Sequence, residues 1–426
     1  SEMCIRDRSK ADDIGYINAS DTINLVSTGG GIGTTTKGLR IKNSGAVVNT
    51  NVQNAINIEA KQDGTLILGE MYQTKGGVNV DSEGSIMLGR ENDAATTEDE
   101  SVTGSIDAKD DVTLHAEDDI IISGKLHVNA TYNDTASDNG TLQLHSNTGD
   151  IIQTTAEKGN NIVAANVGIA AVGGDVKLDN QYNIIKNVDL QAVGGSLGLT
   201  VSNPYGFNVD MGGFTNKQGG DISLTNNSGS VNITTQDITD PKKQDEANIN
   251  GSLTVTADRG DKATEADINN EGILNATENI TFNAADDVNN NGAVDTGADT
   301  NFTAGADVNN NSTVNAGANV GFTAGKDINN NSTVNAGANV GFTAGKDIYN
   351  NIVTANETIE FTAVGGVINS DTVNGKDVIM QAIEQELENI LAKDSVTLNG
   401  DRIHGQNITQ NTDCLLYTSP SPRDCS

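Results

Sequence analysis

The stretch DINNNSTVNAGANVGFTAGK, residues 327 to 346, is the strongest indication of the fold of this chain because it recurs along the sequence. Copies restart every twenty residues, and each copy begins with an aspartate: Asp267, Asp287, Asp307, Asp327 and Asp347. A fixed period of this length is the signature of a repeat architecture, in which each unit buries its apolar face only by stacking on its neighbours.

The apolar residues of the copies fall into columns. Within the quoted copy, Val340, Phe342 and Ala344 alternate with small or polar residues, which is the period of two that a strand with one buried face requires. A helix would need apolar spacings of three and four, and these are missing. One further column, formed by Ile280, Val320 and Val340, is broken by Thr300. The well-kept columns are Ile268, Val288, Val308, Ile328 and Ile348; Leu274, Val294, Val314 and Val334; and Phe282, Phe302, Phe322 and Phe342.

Twenty residues accommodate three short strands and three turns, so the sequence predicts an all-β parallel β-helix with one repeat per coil. Stacked coils then place identical residues above one another as ladders. The predicted structural ladders are Phe282, Phe302, Phe322 and Phe342, together with Asn290, Asn310 and Asn330. The repeated aspartates are predicted to accept hydrogen bonds from backbone N–H groups at a turn rather than to bind calcium. The Gly-Gly-x-Gly-x-Asp repeat of calcium-binding β-rolls does not occur.

Less regular coils precede and follow the repeats, and the sequence predicts one continuous solenoid. Its regions are irregular coils at 9–266, regular coils at 267–366 and irregular terminal coils at 367–413. Gly-Gly-Asp at 173–175 and 219–221 is expected at the same turn as the later Gly-Lys-Asp. Residues 382–392 fit either a short helix or an irregular coil. The end segments 1–8 and 414–426, which contain all three cysteines, resemble translated sequencing adapter, which indicates a metagenomic fragment.

Interruptions of the coil pattern are the candidate recognition elements, because insertions project sideways from a solenoid. They are Glu91 to Ser101, Tyr132 to Gly140, Asn203 to Gly220 and Gln236 to Ala247. The third ranks first, since aromatic residues outside the ladders need a reason. It gives the candidate binding residues Tyr205, Phe207 and Phe214. Tolerated surface decoration without a ligand is the alternative for every one of these segments.

Composition excludes several functions. The formal net charge is −33, so the chain lacks the basic surface that binding to nucleic acid requires. No apolar stretch approaches the roughly eighteen residues of a membrane span, and no secretory signal opens the chain. His115, His127 and His145 follow strand-like segments and could approach one another on adjacent coils. Their spacings of 12 and 18 residues match no coil length, so no metal site is predicted. No phosphate loop or nucleophile elbow occurs, and we predict neither a cofactor nor enzymatic activity.

Two stretches, the quoted repeat and the looser AVGGDVKLDN at 171–180, resemble the coils of filamentous-haemagglutinin-type bacterial exoproteins. The resemblance implies a right-handed helix, a location outside the cell or on its surface, and export by two-partner secretion or autotransport. It also implies an adhesin shaft whose partners are host glycans or surface proteins. A polysaccharide lyase or hydrolase on the same fold is the enzymatic rival. It is disfavoured because residues 9–413 hold only four arginines and no tryptophan. A passive stalk of a contact-dependent toxin needs the same shaft and stays open.

Overall fold

The computed structural model describes residues 16–42, 45–61, 63–73, 75–90, 101–129, 140–236, 245–261, 263–410 and 416–418. These residues form 39 strands in one sheet and no helix. The predicted adapter tail at 1–8 lies outside the described residues, and of the tail at 414–426 only residues 416–418 are described. Most residues of the interruptions that begin at Glu91, Tyr132 and Gln236 also lie outside the described ranges.

The strands before the regular repeats are β1 (Thr22–Ser27), β2 (Leu39–Lys42), β3 (Val47–Val52), β4 (Ile56–Lys61), β5 (Thr65–Gln73), β6 (Val78–Ser82), β7 (Ser85–Leu88), β8 (Ser105–Ala108), β9 (Val112–Ala116), β10 (Ile120–Ile122), β11 (Lys125–Val128), β12 (Thr141–Ser146), β13 (Ile151–Gln153), β14 (Ile162–Ala171), β15 (Val176–Leu178), β16 (Ile184–Val193), β17 (Leu197–Val201), β18 (Phe207–Asp210), β19 (Ile222–Asn226), β20 (Val231–Thr234), β21 (Glu246–Ile249) and β22 (Leu253–Ala257).

The regular repeats contain β23 (Ile268–Asn270), β24 (Ile273–Ala276), β25 (Ile280–Ala284), β26 (Val288–Asn290), β27 (Val294–Thr296), β28 (Thr300–Ala304), β29 (Val308–Asn310), β30 (Val314–Ala316), β31 (Val320–Ala324), β32 (Ile328–Ala336), β33 (Val340–Ala344), β34 (Ile348–Ala355) and β35 (Thr358–Ala363). The chain continues through β36 (Val367–Gln381), β37 (Glu384–Asn399), β38 (Arg402–Gln410) and β39 (Leu416–Thr418).

Each coil of the regular region contributes three short strands, and each strand pairs in parallel with its equivalent one repeat away. Thus β23 pairs with β26, β24 with β27, and β25 with β28, with partners twenty residues apart. Later coils straighten one corner, so β32 and β34 each span two sides of the coil. The predicted fold, a parallel β-helix with three strands per coil, is confirmed.

One side of the helix can be followed along its whole length. Its register runs through β1, β3, β5, β7, β10, β13, β15, β17, β19, β22, β25, β28, β31, β33, β35, β36, β37 and β39, which is eighteen strands and therefore eighteen coils. At about 4.8 Å per strand spacing, this gives a rod about 80 Å long. The irregular and the regular regions belong to one continuous sheet.

The core is a narrow column of inward side chains, because successive residues of a strand point to opposite faces. In β33, Val340, Phe342 and Ala344 are at most 1% exposed, whereas Thr343 between them is exposed. The predicted columns of valine, isoleucine and phenylalanine are all buried. Since a coil has no layer beyond these inward residues, the low hydrophobic content of the chain is sufficient.

Two details of the predicted coil pattern needed the structure. Gly-Gly-Asp at 173–175 precedes β15, whereas Gly-Lys-Asp at 325–327 precedes β32, and these strands lie on different sides of the coil. The prediction that both motifs occupy one turn is therefore wrong. Residues 382–392 lead into and form part of β37, which pairs with β36 and β38, so the coil alternative is correct and the helix alternative is not.

Candidate functional site

The predicted binding segment from Asn203 to Gly220 is mostly part of the coil. Phe207 starts β18, which pairs with β16 and β20, and its side chain is fully buried. Phe214 is fully buried as well. The prediction that these two aromatics belong to a projecting loop is wrong, because both rings fill the solenoid core. Alternation of Phe207 with Val209 around the polar Asn208 was the signal that could have revealed the strand.

Tyr205 is the one predicted binding residue that the structure places on the surface, with 88% of its side chain exposed. Hydrogen bonds of the buried Asn203 hold the backbone of Tyr205 in place. The buried Asn203 accepts a hydrogen bond from the Tyr205 N–H (3.1 Å) and donates its amide to the Ile185 carbonyl (2.9 Å). The Asn203 N–H in turn donates to the Asn226 side chain (3.0 Å). An asparagine that binds the backbone two residues on makes a turn of defined shape, so Tyr205 stands on a rigid turn.

The predicted phenylalanine ladder is confirmed and extends one coil further. Neighbouring rings lie 4.7–4.9 Å apart between centroids, with interplanar angles of 3–5°. The additional member is Phe361, which pairs in register with Phe342. Phe361 follows Phe342 by 19 residues instead of twenty, so it falls outside the twenty-residue column. All five rings are fully buried, so this ladder contributes to stability and offers no contact to a ligand.

Two asparagine ladders run side by side on one side of the coil. The inward ladder contains the predicted Asn290, Asn310 and Asn330, which are at most 1% exposed. Each side-chain amide donates to the next coil at 2.8 Å, towards the carboxyl end. The ladder begins at Asn270 and ends, through Asn350, on the Ser370 hydroxyl. The buried amides thus satisfy one another, as buried polar groups must.

The outward ladder is longer and runs in the opposite direction. Each amide donates to the preceding coil at 2.8–2.9 Å, so the amide dipoles of the two ladders oppose one another. Its rungs bridge sequence separations from 20 to 37 residues, which is why repeat alignment found only part of it. Its members are Asn166, Asn187, Asn208, Asn232, Asn269, Asn289, Asn309 and Asn329.

Neighbouring members of the two ladders provide a matched pair of substitutions. Asn330→Ala should lower the free energy of unfolding by about 2 kcal/mol, because the Asn310 amide and the Asn350 carbonyl lose their partner in the core. Asn329→Ala should cost under about 1 kcal/mol, because its partner Asn309 is only half-buried and can bind water. Chemical denaturation followed by circular dichroism measures both, and equal costs would contradict the inward assignment.

The aspartate column behaves as predicted. One carboxylate oxygen of each aspartate accepts the backbone N–H of the aspartate one coil on, at 2.9–3.0 Å, and Asp347 accepts from Val367 at 2.8 Å. A second column does the same from Asn279 through Asp299, Asn319 and Asn339 to Thr358. These side chains complete the backbone hydrogen bonding of the turns.

The two ends of the aspartate column differ electrostatically. Burial raises the pKa of Asp267, opposed by the hydrogen bond from the Asp287 N–H and reinforced by the neighbouring carboxylates of Asp287 and Glu265. At Asp347, burial also disfavours the charged form. There, however, hydrogen bonds from Lys346 and the Val367 N–H, together with the Lys346 charge, lower the pKa of Asp347. Lys346 Nζ lies 2.8 Å from the Asp347 carboxylate.

The break that Thr300 makes in the apolar column has a partner. Thr296 is also buried, where the equivalent residues of neighbouring repeats are alanine, and the two hydroxyl oxygens lie 2.9 Å apart. One hydroxyl therefore donates to the other within the core, and the Thr296 hydroxyl also lies 3.4 Å from the Ala298 carbonyl oxygen. The two threonines therefore replace two apolar residues of the repeat together, and each provides a polar partner for the other.

Two of the three histidines meet on adjacent coils, as the sequence allowed, although their spacing matches no coil length. His115 and His145 are register partners on β9 and β12, with ring centroids 4.8 Å apart, and His115 Nδ1 lies 2.8 Å from Asp81 Oδ1. The sequence between them is longer than one repeat because it contains the segment from Tyr132. His127 is buried on another strand, 3.2 Å from Asn161. Among the described residues, no three histidine, cysteine or acidic side chains are arranged to hold a metal ion.

Comparisons with known proteins yield no relatives. No family model, no curated protein and no solved structure matches this chain. No helix in the described part of the chain is long and apolar enough to cross a membrane. The function of the chain is therefore inferred from its own residues and their geometry.

Proposed function

We propose that this chain is a structural shaft segment of a large secreted or cell-surface bacterial adhesin, which holds binding surfaces towards host glycan or protein. The observation that carries the proposal is the continuous register of seventeen strands, from β1 to β37, along one side of the solenoid. Such a stack converts chain length into distance, at about 4.8 Å for every coil of roughly twenty residues.

The ladders suit that role because they connect each coil to the next. Phenylalanine rings, asparagine amides and aspartate carboxylates all contact the equivalent residue one coil away. Stability in such an array comes from interfaces between neighbours, so the rod can be extended without redesign of its core. The net charge of −33 favours a soluble rod that resists self-association.

The shaft proposal predicts that length follows coil number. Removing residues 307–326 from the full chain should shorten the rod by about 4.8 Å, because β26 would then pair with β32 in place of β29 and every ladder would stay continuous. Removing 287–326 should shorten it by about twice that amount. Small-angle X-ray scattering measures the maximum dimension, and loss of β-sheet circular dichroism on deletion would contradict the coil boundaries.

Adherence separates the shaft of an adhesin from a passive stalk. A non-adherent bacterium that displays the full chain should gain attachment to host epithelial cells or matrix. A rod of the expected length without attachment would favour the stalk of a contact-dependent toxin. Depolymerisation of an acidic or neutral polysaccharide by the purified chain would instead favour the lyase or hydrolase alternative.

A further inference from the structure

An open groove of about 540 Å³ lies near the first coils, on the outer face of β1, β3 and β5. Its lining is dominated by groups that donate or accept hydrogen bonds. They include two carboxylates, two side-chain amides and one guanidinium: Asp21, Glu70, Asn24, Asn49 and Arg90. Hydroxyls of Thr22, Ser101 and Thr103 complete the polar lining.

A β-bulge shapes the floor of this groove. The register between β3 and β5 shifts next to Asn49, so that Gly69 and Glu70 together oppose that single residue. The Asn49 side-chain oxygen Oδ1 accepts a hydrogen bond from the Glu70 N–H at 2.9 Å, and the Asn49 side-chain amide donates to Asn24 Oδ1 at 3.1 Å. A Cβ at position 69 would lie 2.1 Å from the Asn49 side-chain oxygen, so a larger residue there would displace the Asn49 amide. The bulge turns the Glu70 side chain outward, and bulges commonly re-aim a side chain at functional sites.

Backbone hydrogen bonds fix one wall of the groove. Arg90 and Val102 form an antiparallel bridge, in which each N–H donates to the other carbonyl, at 2.8 and 2.7 Å. This bridge is unlike the parallel ladder of the solenoid. It joins Arg90 to residues 101–103, and together these residues border the groove on one side.

An exposed apolar strip borders the polar floor. Tyr72 follows Glu70 by two residues on β5, so both side chains point outward about 7 Å apart. Tyr72 is 48% exposed, and its register partner on β3 is Asn51. Asn51 in turn pairs with Val26, which is 71% exposed. A tyrosine ring and a valine thus flank an asparagine, next to the polar groove.

This combination fits one chemical class of ligand. A sugar ring carries hydroxyls at its edge and an apolar C–H face, so it can bind amides and carboxylates while it packs on an aromatic ring. Asp21, Glu70 and Arg90 sum to a single negative charge, within a strongly acidic chain. Sulfated and sialylated glycans are therefore repelled, and a peptide would need apolar pockets in place of this polar floor.

We propose that the groove at the Gly69–Glu70 bulge binds a neutral oligosaccharide, with Tyr72 packing on the sugar ring and Asn49, Glu70 and Arg90 at its hydroxyls. The proposal names a ligand for the adhesin and rests on that proposed function only for its biological meaning. The groove and its chemistry stand on residues of β1, β3 and β5 and on the bridge between Arg90 and Val102.

The test is an array of neutral, sialylated and sulfated oligosaccharides and immobilised matrix proteins, probed with the full chain. We expect neutral glycans to bind. Tyr72→Ala and Glu70→Gln should each weaken binding at least tenfold, whereas Tyr72→Phe keeps the ring and should retain it. Tyr349→Ala is the matched control, because Tyr349 is similarly exposed (43%) on a distant coil. Calorimetry with the best neutral glycan quantifies each variant.

Other outcomes overturn the groove proposal without touching the shaft. Binding that is abolished by Tyr205→Ala and unaffected by Tyr72→Ala would place recognition at the turn after Asn203. Binding only to charged glycans or to matrix protein would refute the ligand class, and no binding by a rod of the expected length would refute the site. Should Tyr72→Ala lower thermal stability, Glu70→Gln decides, since the Asn49 contact uses the Glu70 backbone.

Discussion

Phe322→Asp is expected to destabilise the rod by about 5 kcal/mol or more. The Phe322 ring is fully buried between Phe302 and Phe342, at centroid distances of 4.9 and 4.7 Å. Truncating a buried phenylalanine costs about 3–5 kcal/mol, and the substitution also places a carboxylate where no partner can reach it. The neighbouring coils should lose their protection, because each ring in the ladder contacts the next.

Thr323→Asp is the control for this prediction, because it introduces the same side chain one residue later on the same strand. Thr323 points outward and is exposed, so its substitution should change the stability by less than about 0.5 kcal/mol. Thermal and denaturant unfolding, with hydrogen exchange to localise the effect, compare the two variants. Similar stabilities would refute the inward assignment of the phenylalanine column.

Gly325→Ala should lower the free energy of unfolding by about 1–3 kcal/mol, although replacing glycine by alanine usually stabilises a protein where the backbone permits it. The turns after β28, β31 and β33 stack so closely that a Cβ at Gly325 would lie 2.1 Å from the Gly305 carbonyl oxygen. Gly345 has the same relation to Gly325, at 2.2 Å. Since the obstacle is backbone rather than a flexible side chain, the coils must move apart to accept the methyl group.

Gly341→Ala tests whether the cost comes from stacking at the turn. A Cβ at Gly341 has no atom within 4 Å, so this variant should be neutral or more stable by up to about 1 kcal/mol, since alanine restricts the unfolded chain. The two melting temperatures form the comparison. Equal destabilisation by both variants would mean that the glycines serve backbone conformation instead of close approach.

The sequence predicts stacking partners correctly where the twenty-residue period is kept, and it does not where the chain departs from that period. Phe361 was missed after a single-residue shortening, although it completes the ring stack. The spacing of His115 and His145 did not reveal that they are register partners, because an interruption lengthens the sequence between them. Phe207 was assigned to a loop because its neighbours include proline and glycine, yet it begins a strand in full register.

The parallel coil, its inward columns and the carboxylate turns follow from the amino-acid sequence alone, because each repeat places the same side chain in the same surroundings. Alternation along a strand identified the buried face, and repetition identified the stacking partner. Alternation and repetition are local and periodic properties, so both are visible in the amino-acid sequence of one chain.

The contacts that join coils of unequal length became apparent in the folded structure. The outward asparagine ladder crosses sequence gaps of up to 37 residues, and the groove forms where three strands from different coils meet at the Gly69–Glu70 bulge. Register between coils is set by which turns lengthen and which strands bulge. That information lies in how the backbone closes around the core, so no fixed spacing in the sequence could report it.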